Sequence, residues 1–379
     1  MTVGNLLELY PNRGLRFVKG DGAWLETADG RRYLDLMSNY GVSIFGYGHP
    51  AIVGALRQQL ESLPTLHGSF NSDVRARASV ALARRLPMEA PAICWSNSGA
   101  EAVEAALKLA IVASGRKRFV ACIGGYHGKT MGALSATHAA KYRAPFEPLP
   151  WHVEHVEYGD AEAMRRALDD RTAAVIVEPI LGEGGIVVPP REYLCDVRRA
   201  ATDAGALLIV DEIQAGCGRT GRFLAVEHAG VSPDIVCLGK GLAGGIPVGA
   251  TAVTETIARR IPRGLHTSTF GGNPLACAGV LAVLALLSDE QLARVAMLGD
   301  QFMTRLRQAV PAADVRGRGL MVGVSVGDRG DAALKALQRE GILAIPAGSG
   351  VVRFLPPYVV SSDDLLRAAD ALGRAVLAK

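Results

Sequence analysis

Little of this 379-residue chain is aromatic (6% of residues), and its charge is nearly balanced, with 41 Lys and Arg against 37 Asp and Glu for a net of +4. No run of Lys or Arg marks a nucleic-acid face, so nucleic acid is not an expected partner. The small basic excess suits an acidic partner or substrate. Long hydrophobic runs are missing as well. The longest, Leu275 to Leu287, is well short of the ~18 apolar residues a membrane span needs. Asn273 and Pro274 ahead of it predict a buried helix, with Asn as N-cap and Pro as first helical residue. The six cysteines (Cys94, Cys122, Cys195, Cys217, Cys237, Cys277) form no CxxC pair. They read as small buried hydrophobes in a reducing compartment rather than staples or metal ligands. The opening MTVGNLLELYPNRG holds no basic stretch ahead of an apolar one, and a cytoplasmic chain that avoids membranes is expected. There is no Walker A loop, HExxH or GxSxG, and His152 and His155 have no third ligand nearby, so no metal site is expected. Repeats, linkers and low-complexity segments are also lacking.

What is present is an organised middle. Hydrophobic residues make up 49% and charged residues 21%, the balance of a globular protein able to bury a large core. Short apolar runs predict strands at Ile93–Trp95, Phe119–Ile123, Ala173–Val177, Ala206–Val210, Asp234–Leu238 and Val248–Val253. Helical patterns lie between them at Glu101–Ala113, Ala161–Leu168 and Tyr193–Ala204. That alternation implies an α/β fold with a mostly parallel sheet covered by helices. The ends differ: strand signals at Ala23–Thr27 and Arg32–Leu36, then helices near Leu292–Val310 and Leu365–Leu377 with strands at Leu320–Val326 and Val351–Leu355. The expected division is a large domain over 46–285 and a smaller α+β domain built from 1–45 and 286–379.

The polar residues that stand out sit just past strand ends: Ser96-Asn97-Ser98-Gly99-Ala100, Gly124-Gly125-Tyr126-His127-Gly128, Glu178-Pro179, Asp211-Glu212-Ile213-Gln214 and Gly239-Lys240-Gly241. Ligands of open parallel sheets bind at that edge. Ser98-x-x-Glu101 is a capping box that could simply cap, or could leave free N–H groups for a phosphate at the helix start. Asp211 alone reads as a carboxylate at a strand–loop junction, and Tyr126 and His127 alone read as structural. Lys240, flanked by two glycines, has room for a bulky group on its ε-amine, as a Schiff-base lysine requires. Pyridoxal phosphate (PLP) also needs an acid beside its pyridine nitrogen to act as an electron sink, and Asp211 on a neighbouring strand end could supply it. Gly216-Cys217-Gly218-Arg219-Thr220-Gly221 matches the dinucleotide pattern GxGxxG, but five residues separate it from its strand and no long helix opens from it.

These residues carry a resemblance. The segment ALLIVDEIQAGCGRTGRFLAVEHAGVSPDIVCLGKGLAGGIPVGA resembles the cofactor signature of class III aminotransferases, PLP-dependent transferases of fold type I. NSGAEAVEAALKLA, GGYHGKTMGALSAT, AAVIVEPILGEGG, TSTFGGNPLACA, VRGRGLMVGV and VVRFLPP agree with it, in order and at family spacing from about Gly20 onward. Within the class the chain is most similar to the acetylornithine and ornithine aminotransferases, a group that includes enzymes acting on lysine or ornithine precursors linked to a small acidic carrier protein.

The resemblance implies pyridoxal 5'-phosphate as cofactor, with Lys240 as its Schiff-base lysine and proton shuttle, Asp211 at the pyridine nitrogen and Gln214 on the ring hydroxyl. Ser98, Gly99 and Ala100 would bind the phosphate, with Thr269 reaching it from the second subunit of a homodimer whose active sites are shared. Tyr126 would stack on the ring, and Glu178 and His127 would line the site. Arg353 would clamp the α-carboxylate of glutamate or 2-oxoglutarate, and Glu183 would pair with Arg353 when a distal amine reacts. Lys129 stands where the family usually has an arginine for a distal carboxylate, and a lysine lacks the planar fork. Tyr40, in SNYGV, matches a tyrosine of ornithine aminotransferases and bears on how the substrate's α-end is held. The implied reaction moves the distal amino group of N-acetylornithine, or of a related ornithine or lysine derivative, to 2-oxoglutarate in arginine or lysine biosynthesis. Ornithine δ-transamination and a same-fold aminomutase are the alternatives, and a non-catalytic binding protein is opposed by the intact Asp211, Lys240 and Arg353.

Overall fold

The computed structural model describes residue 5 and residues 7–377. The chain opens with three antiparallel strands, β1 (Phe17–Asp21), β2 (Trp24–Thr27) and β3 (Arg32–Asp35). Seven strands follow: β4 (Ala92–Ser96), β5 (Arg118–Cys122), β6 (Val153–Val156), β7 (Thr172–Val177), β8 (Leu207–Asp211), β9 (Ile235–Leu238) and β10 (Gly249–Val253). They form the central sheet in the order β4-β10-β9-β8-β7-β5-β6. β10 runs antiparallel to both neighbours, and every other pair is parallel. The C-terminal part adds β11 (Asp314–Arg318), β12 (Met321–Ser325), β13 (Ile342–Leu343), β14 (Ile345–Ala347) and β15 (Val351–Phe354). β13 pairs in parallel with β3, so a strand from late in the chain joins the N-terminal sheet, while β11-β12-β15-β14 form an antiparallel sheet of their own.

The near-continuous apolar runs of the middle strands are explained by burial on both faces. Side chains alternate across a strand. Val175 and Val177 of β7, Leu208 and Val210 of β8, and Val236 and Leu238 of β9 therefore enter one core. Ala174 and Ile176, Ile209, and Ile235 and Cys237 enter the other. Each fully buried Val, Ile or Leu adds about 1.5–3 kcal/mol of apolar burial. The second core is capped by the helix Gly99–Ser114, whose buried face is largely alanine (Ala102, Ala105, Ala106, Ala110, Ala113) and lies across β4, β7, β8, β9 and β10. Small side chains bring that helix close to the sheet, which seats its N-terminus at the sheet's C-terminal edge. Beyond the last strand of the central sheet, Asn273 caps Pro274–Leu286 by accepting from the Ala276 N–H at 2.9 Å, as its sequence predicts. Among the described residues no single helix is long and apolar enough to cross a membrane. All six cysteines are free, and Cys94 and Cys195 are only half-buried, unlike the other four.

Candidate active site

A cleft of about 460 Å³ opens at the C-terminal edge of the central sheet. Gly99, Ala100, Tyr126, His127, Lys129 and Glu178 line one part of it, and Glu183, Asp211, Gln214 and Lys240 the rest. A larger depression of about 720 Å³, walled by Arg84, Arg85, Phe223 and Asp289, lies elsewhere and contains none of these groups.

Asp211 ends β8 and is buried. Its Oδ1 accepts from the Ile213 N–H at 3.0 Å and its Oδ2 from His127 Nδ1 at 2.8 Å, which leaves the carboxylate aimed at the cleft with two fixed partners. Burial alone would strip the His127 proton. The hydrogen bond and charge of Asp211, with the charge of Glu178 behind them, outweigh burial and hold the imidazole above its usual pKa. The His127 backbone is pinned by Thr137, whose Oγ1 accepts its N–H at 2.9 Å. Glu178 follows β7 and ties two loops together: Oε1 accepts from the Tyr126 N–H at 2.9 Å and Oε2 from the Gly182 N–H at 3.0 Å. Burial pushes its carboxyl up to about 7, with Asp211 adding to the rise against His127.

Lys240 stands two residues past β9 with φ 43°, a left-handed conformation that costs a side-chain-bearing residue free energy and is found at strained functional positions. Burial pushes its ammonium below the usual lysine range, and the nearby Arg353 guanidinium adds to this against the pull of Asp211. A lowered lysine is a larger fraction free amine, which is the nucleophilic form.

The first turn of Gly99–Ser114 is held by Ser98, whose Oγ accepts from the Glu101 N–H at 3.2 Å. The returning bond of the capping box goes one residue earlier than the pattern predicts, from the Asn97 N–H to Glu101 Oε2 at 2.7 Å. The helix itself offers no partner to the N–H groups of Gly99 and Ala100, and its dipole favours an anion there. Gly249 faces Ser96 across β10 and β4, and a Cβ on it would come within 2.1 Å of the Ser98 carbonyl, so only glycine lets the helix start sit this close. Ser98 itself is exposed at the rim.

Arg353 on β15 is fully buried. Its Nη1 donates to Gln214 Oε1 at 3.1 Å, and its Nη2 to Glu183 Oε1 at 2.7 Å and to the Pro346 carbonyl at 3.1 Å. Its Nε is buried without a partner among the described residues. Tyr40 sets its ring 5.6 Å from the Arg353 Cζ. Lys129 is exposed and places its Nζ 4.3 Å from the centre of the Tyr142 ring, which meets the Tyr126 ring edge-on at 5.8 Å. Thr269 lies on an exposed turn outside the cleft of its own chain. Tyr142 and Thr130 also belong to this neighbourhood and were not singled out in the sequence, and Ile213, named there only as part of the stretch after its strand, joins them. Ile213 packs on Gly99 so closely that a Cβ there would meet it at 2.8 Å. The Gly216–Gly221 stretch is a run of turns and opens no helix.

The profile of the family "Aminotransferase class-III" matches residues 10–376. The chain belongs to the class III aminotransferases. It is a PLP-dependent transaminase of fold type I. This aminotransferase is 44% identical over 374 residues to the acetylornithine aminotransferase of Methanopyrus kandleri, covering 97% of this chain and 96% of that one. It is 38% identical over 376 residues to a [LysW]-aminoadipate semialdehyde/glutamate semialdehyde transaminase of Sulfurisphaera tokodaii, covering 98% and 97%. The fold superposes on an ornithine aminotransferase of Toxoplasma gondii with a TM-score of 0.94 at 34% identity, over 99% of this chain and 93% of that one. A second structure of that enzyme, at TM-score 0.93, has PLP in partial occupancy at its active site.

The aminotransferase has the donor set that PLP requires. An amine for its aldehyde, a carboxylate for its ring nitrogen and a helix N-terminus for its phosphate converge on one cleft, in Lys240, Asp211 and the N–H groups of Gly99 and Ala100. Because Gln214 Oε1 is engaged by Arg353, its Nε2 is the end left to donate to a ring oxygen.

Glu178 gives this cleft a measurable titration. Its carboxyl, moved from 4.5 to about 7, keeps a proton in the folded protein that the unfolded chain has lost. Its stabilising share is complete below pH 4.5 and is lost as the pH rises to about 7. In cofactor-free protein, Glu178→Gln should therefore flatten the decline of unfolding free energy over that window by up to about 1.4 kcal/mol per pH unit. Denaturant titrations at stepped pH read this, and parallel slopes for the two proteins would refute the raised titration.

Proposed function

We propose that this enzyme moves the distal amino group of N-acetylornithine, or of a related ornithine or lysine derivative, to 2-oxoglutarate, giving a semialdehyde and glutamate. The observation that carries the reading is the pairing of fully buried Arg353 with Glu183, whose side chain keeps 28% of its surface exposed. A buried cation needs a counter-charge at all times. Glu183 supplies it while a distal amine reacts, and can swing toward solvent when a substrate α-carboxylate arrives to take both guanidinium nitrogens. One site thereby serves two differently built donors.

Bound PLP supplies the electron sink for the pair left behind when a proton leaves the amine-bearing carbon. Lys240 would hold the cofactor at its aldehyde carbon and, as a free amine, would carry the proton from the donor's amine-bearing carbon to that aldehyde carbon, then back from it to the α-carbon of the product glutamate. Asp211 would keep the ring nitrogen protonated, His127 keeps Asp211 oriented, and Gln214 would donate to the ring hydroxyl. Tyr126 would cover the ring face, and Ser98, Gly99 and Ala100 would bind the phosphate. Thr269, exposed beside the exposed Phe270, would complete the phosphate site of a second subunit; fully active monomers in sedimentation would overturn that assignment. With a division at 45/46 and 285/286, every residue lining this cleft would belong to the larger domain, and Tyr40 and Arg353 beside it to the smaller one. Lys129 leaves the far end of the donor bound by a point charge instead of a fork, and the named relatives make a carrier-linked donor the second candidate. Tyr40 against Arg353 favours ornithine as the third.

A panel of N-acetylornithine, ornithine, N-acetyl-lysine and a donor whose α-amine is blocked by a glutamyl residue, each with 2-oxoglutarate, tests the reading through the glutamate released. Glutamate should form, fastest with a donor whose α-amine is blocked. Release from none of them, or isomerisation without any 2-oxoglutarate, would overturn it.

A further inference from the structure

Tyr40 reaches Arg353 from a backbone segment that resists its own shape. Ser38, Asn39 and Tyr40 have φ of 44°, 50° and 59°, and Gly41 continues at 86°. The Gly41 N–H donates to the Met37 carbonyl at 3.0 Å and the Val42 N–H to the Ser38 carbonyl at 2.8 Å. The result is one turn of left-handed helix built on three residues with side chains. Each is disfavoured because its Cβ crowds the following carbonyl, and such residues occur as a run only where the surroundings over-determine them.

The surroundings here converge on Asp35, the last residue of β3, which is buried. Its Oδ1 accepts from the N–H groups of Met37 at 3.0 Å and Ser38 at 3.1 Å, the two amides that enter the turn. Its Oδ2 accepts from the Tyr47 hydroxyl at 2.7 Å. Tyr47 is fixed in turn. Its backbone exchanges hydrogen bonds with Gly22 at 2.9 and 3.0 Å, and its ring lies over Gly20, where a Cβ would come within 2.5 Å of the ring. The Ser38 hydroxyl, which could have capped the turn locally, is buried and has no partner among the described residues. Both flanks of the turn are tied to the segment that follows Arg353: the Leu355 N–H donates to the Leu36 carbonyl at 2.7 Å, and the Tyr358 N–H to the Ile44 carbonyl at 2.6 Å.

We propose that Asp35 and Tyr47 are positioning residues for carboxylate recognition: they hold the left-handed turn that sets the Tyr40 ring against Arg353. The ring face stabilises the guanidinium at the moment Glu183 leaves it, and limits the directions in which the fork can turn. When the hold is removed the turn relaxes toward ordinary φ, the ring withdraws, and Arg353 meets the incoming carboxylate less well oriented. The substrate that uses the clamp is penalised, and the donor that reacts through a distal amine is spared. The proposal rests on the reading of Arg353 as the α-carboxylate clamp.

The test uses the holoenzyme with Tyr47→Phe, Asp35→Ala, and each combined with Ser38→Gly, alongside Arg353→Lys. Tyr47→Phe should raise the KM for 2-oxoglutarate about threefold and Asp35→Ala about tenfold, with little change in the KM for the amino donor. Ser38→Gly should return most of the lost affinity in either background, since glycine enters the left-handed region without a Cβ to crowd. Equal changes in KM for both substrates, or no recovery on adding Ser38→Gly, would refute the positioning role. If Asp35→Ala fails to fold, Tyr47→Phe, which removes only a hydroxyl, decides the matter. An unchanged KM for 2-oxoglutarate in Arg353→Lys would instead refute the clamp itself, and this proposal with it. A raised KM there with silent Tyr47→Phe and Asp35→Ala refutes the proposal alone.

Discussion

Asp211→Asn is expected to lower turnover roughly a thousandfold while leaving the fold in place. The amide is nearly isosteric, and its oxygen can keep the Ile213 N–H that Oδ1 now accepts. Its NH₂ would then face His127 Nδ1, which must give up its proton to accept, so the imidazole loses the partner that holds its pKa up. The larger loss is electrostatic. A neutral amide no longer keeps the ring nitrogen protonated, and the sink for the departing electron pair weakens just where charge develops. Glutamate release at saturating substrates, with thermal melting as the check on folding, reads this. Turnover within a factor of a few of the natural protein would mean that Asp211 serves the fold and not the ring.

Replacing Arg353 with Ala should cut the kcat/KM for glutamate and 2-oxoglutarate by roughly a hundredfold and leave the distal-amine donor much less affected. The substitution removes the whole clamp and three hydrogen bonds, to Gln214, Glu183 and the Pro346 carbonyl. Glu183→Ala should do the opposite. With the carboxylate gone, the clamp stands open, and the half-reaction with glutamate should quicken about tenfold because no ion pair has to part first. The distal-amine donor should slow, since a buried guanidinium left without its counter-charge either loses stability or captures the wrong carboxylate. Stopped-flow absorbance follows each half-reaction separately. Equal slowing of both by Glu183→Ala would reduce that residue to a structural role.

Local signals in the sequence were strong where the physics is short-range. β7 and β8 run within a residue of the strands expected at Ala173–Val177 and Ala206–Val210, because a strand buried on both faces must be apolar throughout. The Ser98 cap and the Asn273-Pro274 helix start were legible for the same reason: cap, donor and first turn all lie within four residues. β6 was not legible. Its sequence, VEHV, carries polar residues on an edge that is only partly buried, and it becomes a strand through pairing with β5. The reversed direction of β10 was invisible as well, since an apolar run has no sense of direction; the short connection from β9 decides it.

By itself, then, the sequence determined the alternation of strands and helices, the row of polar groups past the strand ends, and a lysine between glycines beside an acid on a neighbouring strand. These follow from spacing along a few residues. Only the tertiary structure decided that His127 meets Asp211 across 84 positions, and it set Glu183 against Arg353 across 170, a pairing the family resemblance implied but no local spacing shows. It also decided that a left-handed turn at Ser38–Tyr40, announced in its composition by no more than Asn39 and Gly41, is held by Asp35 and Tyr47. The reason is the same in each case. The free energy of an ion pair, a shifted pKa or a strained turn depends on how much water the folded chain excludes and which groups it brings within a few ångströms. Neither quantity exists until the sheet has closed over its two cores.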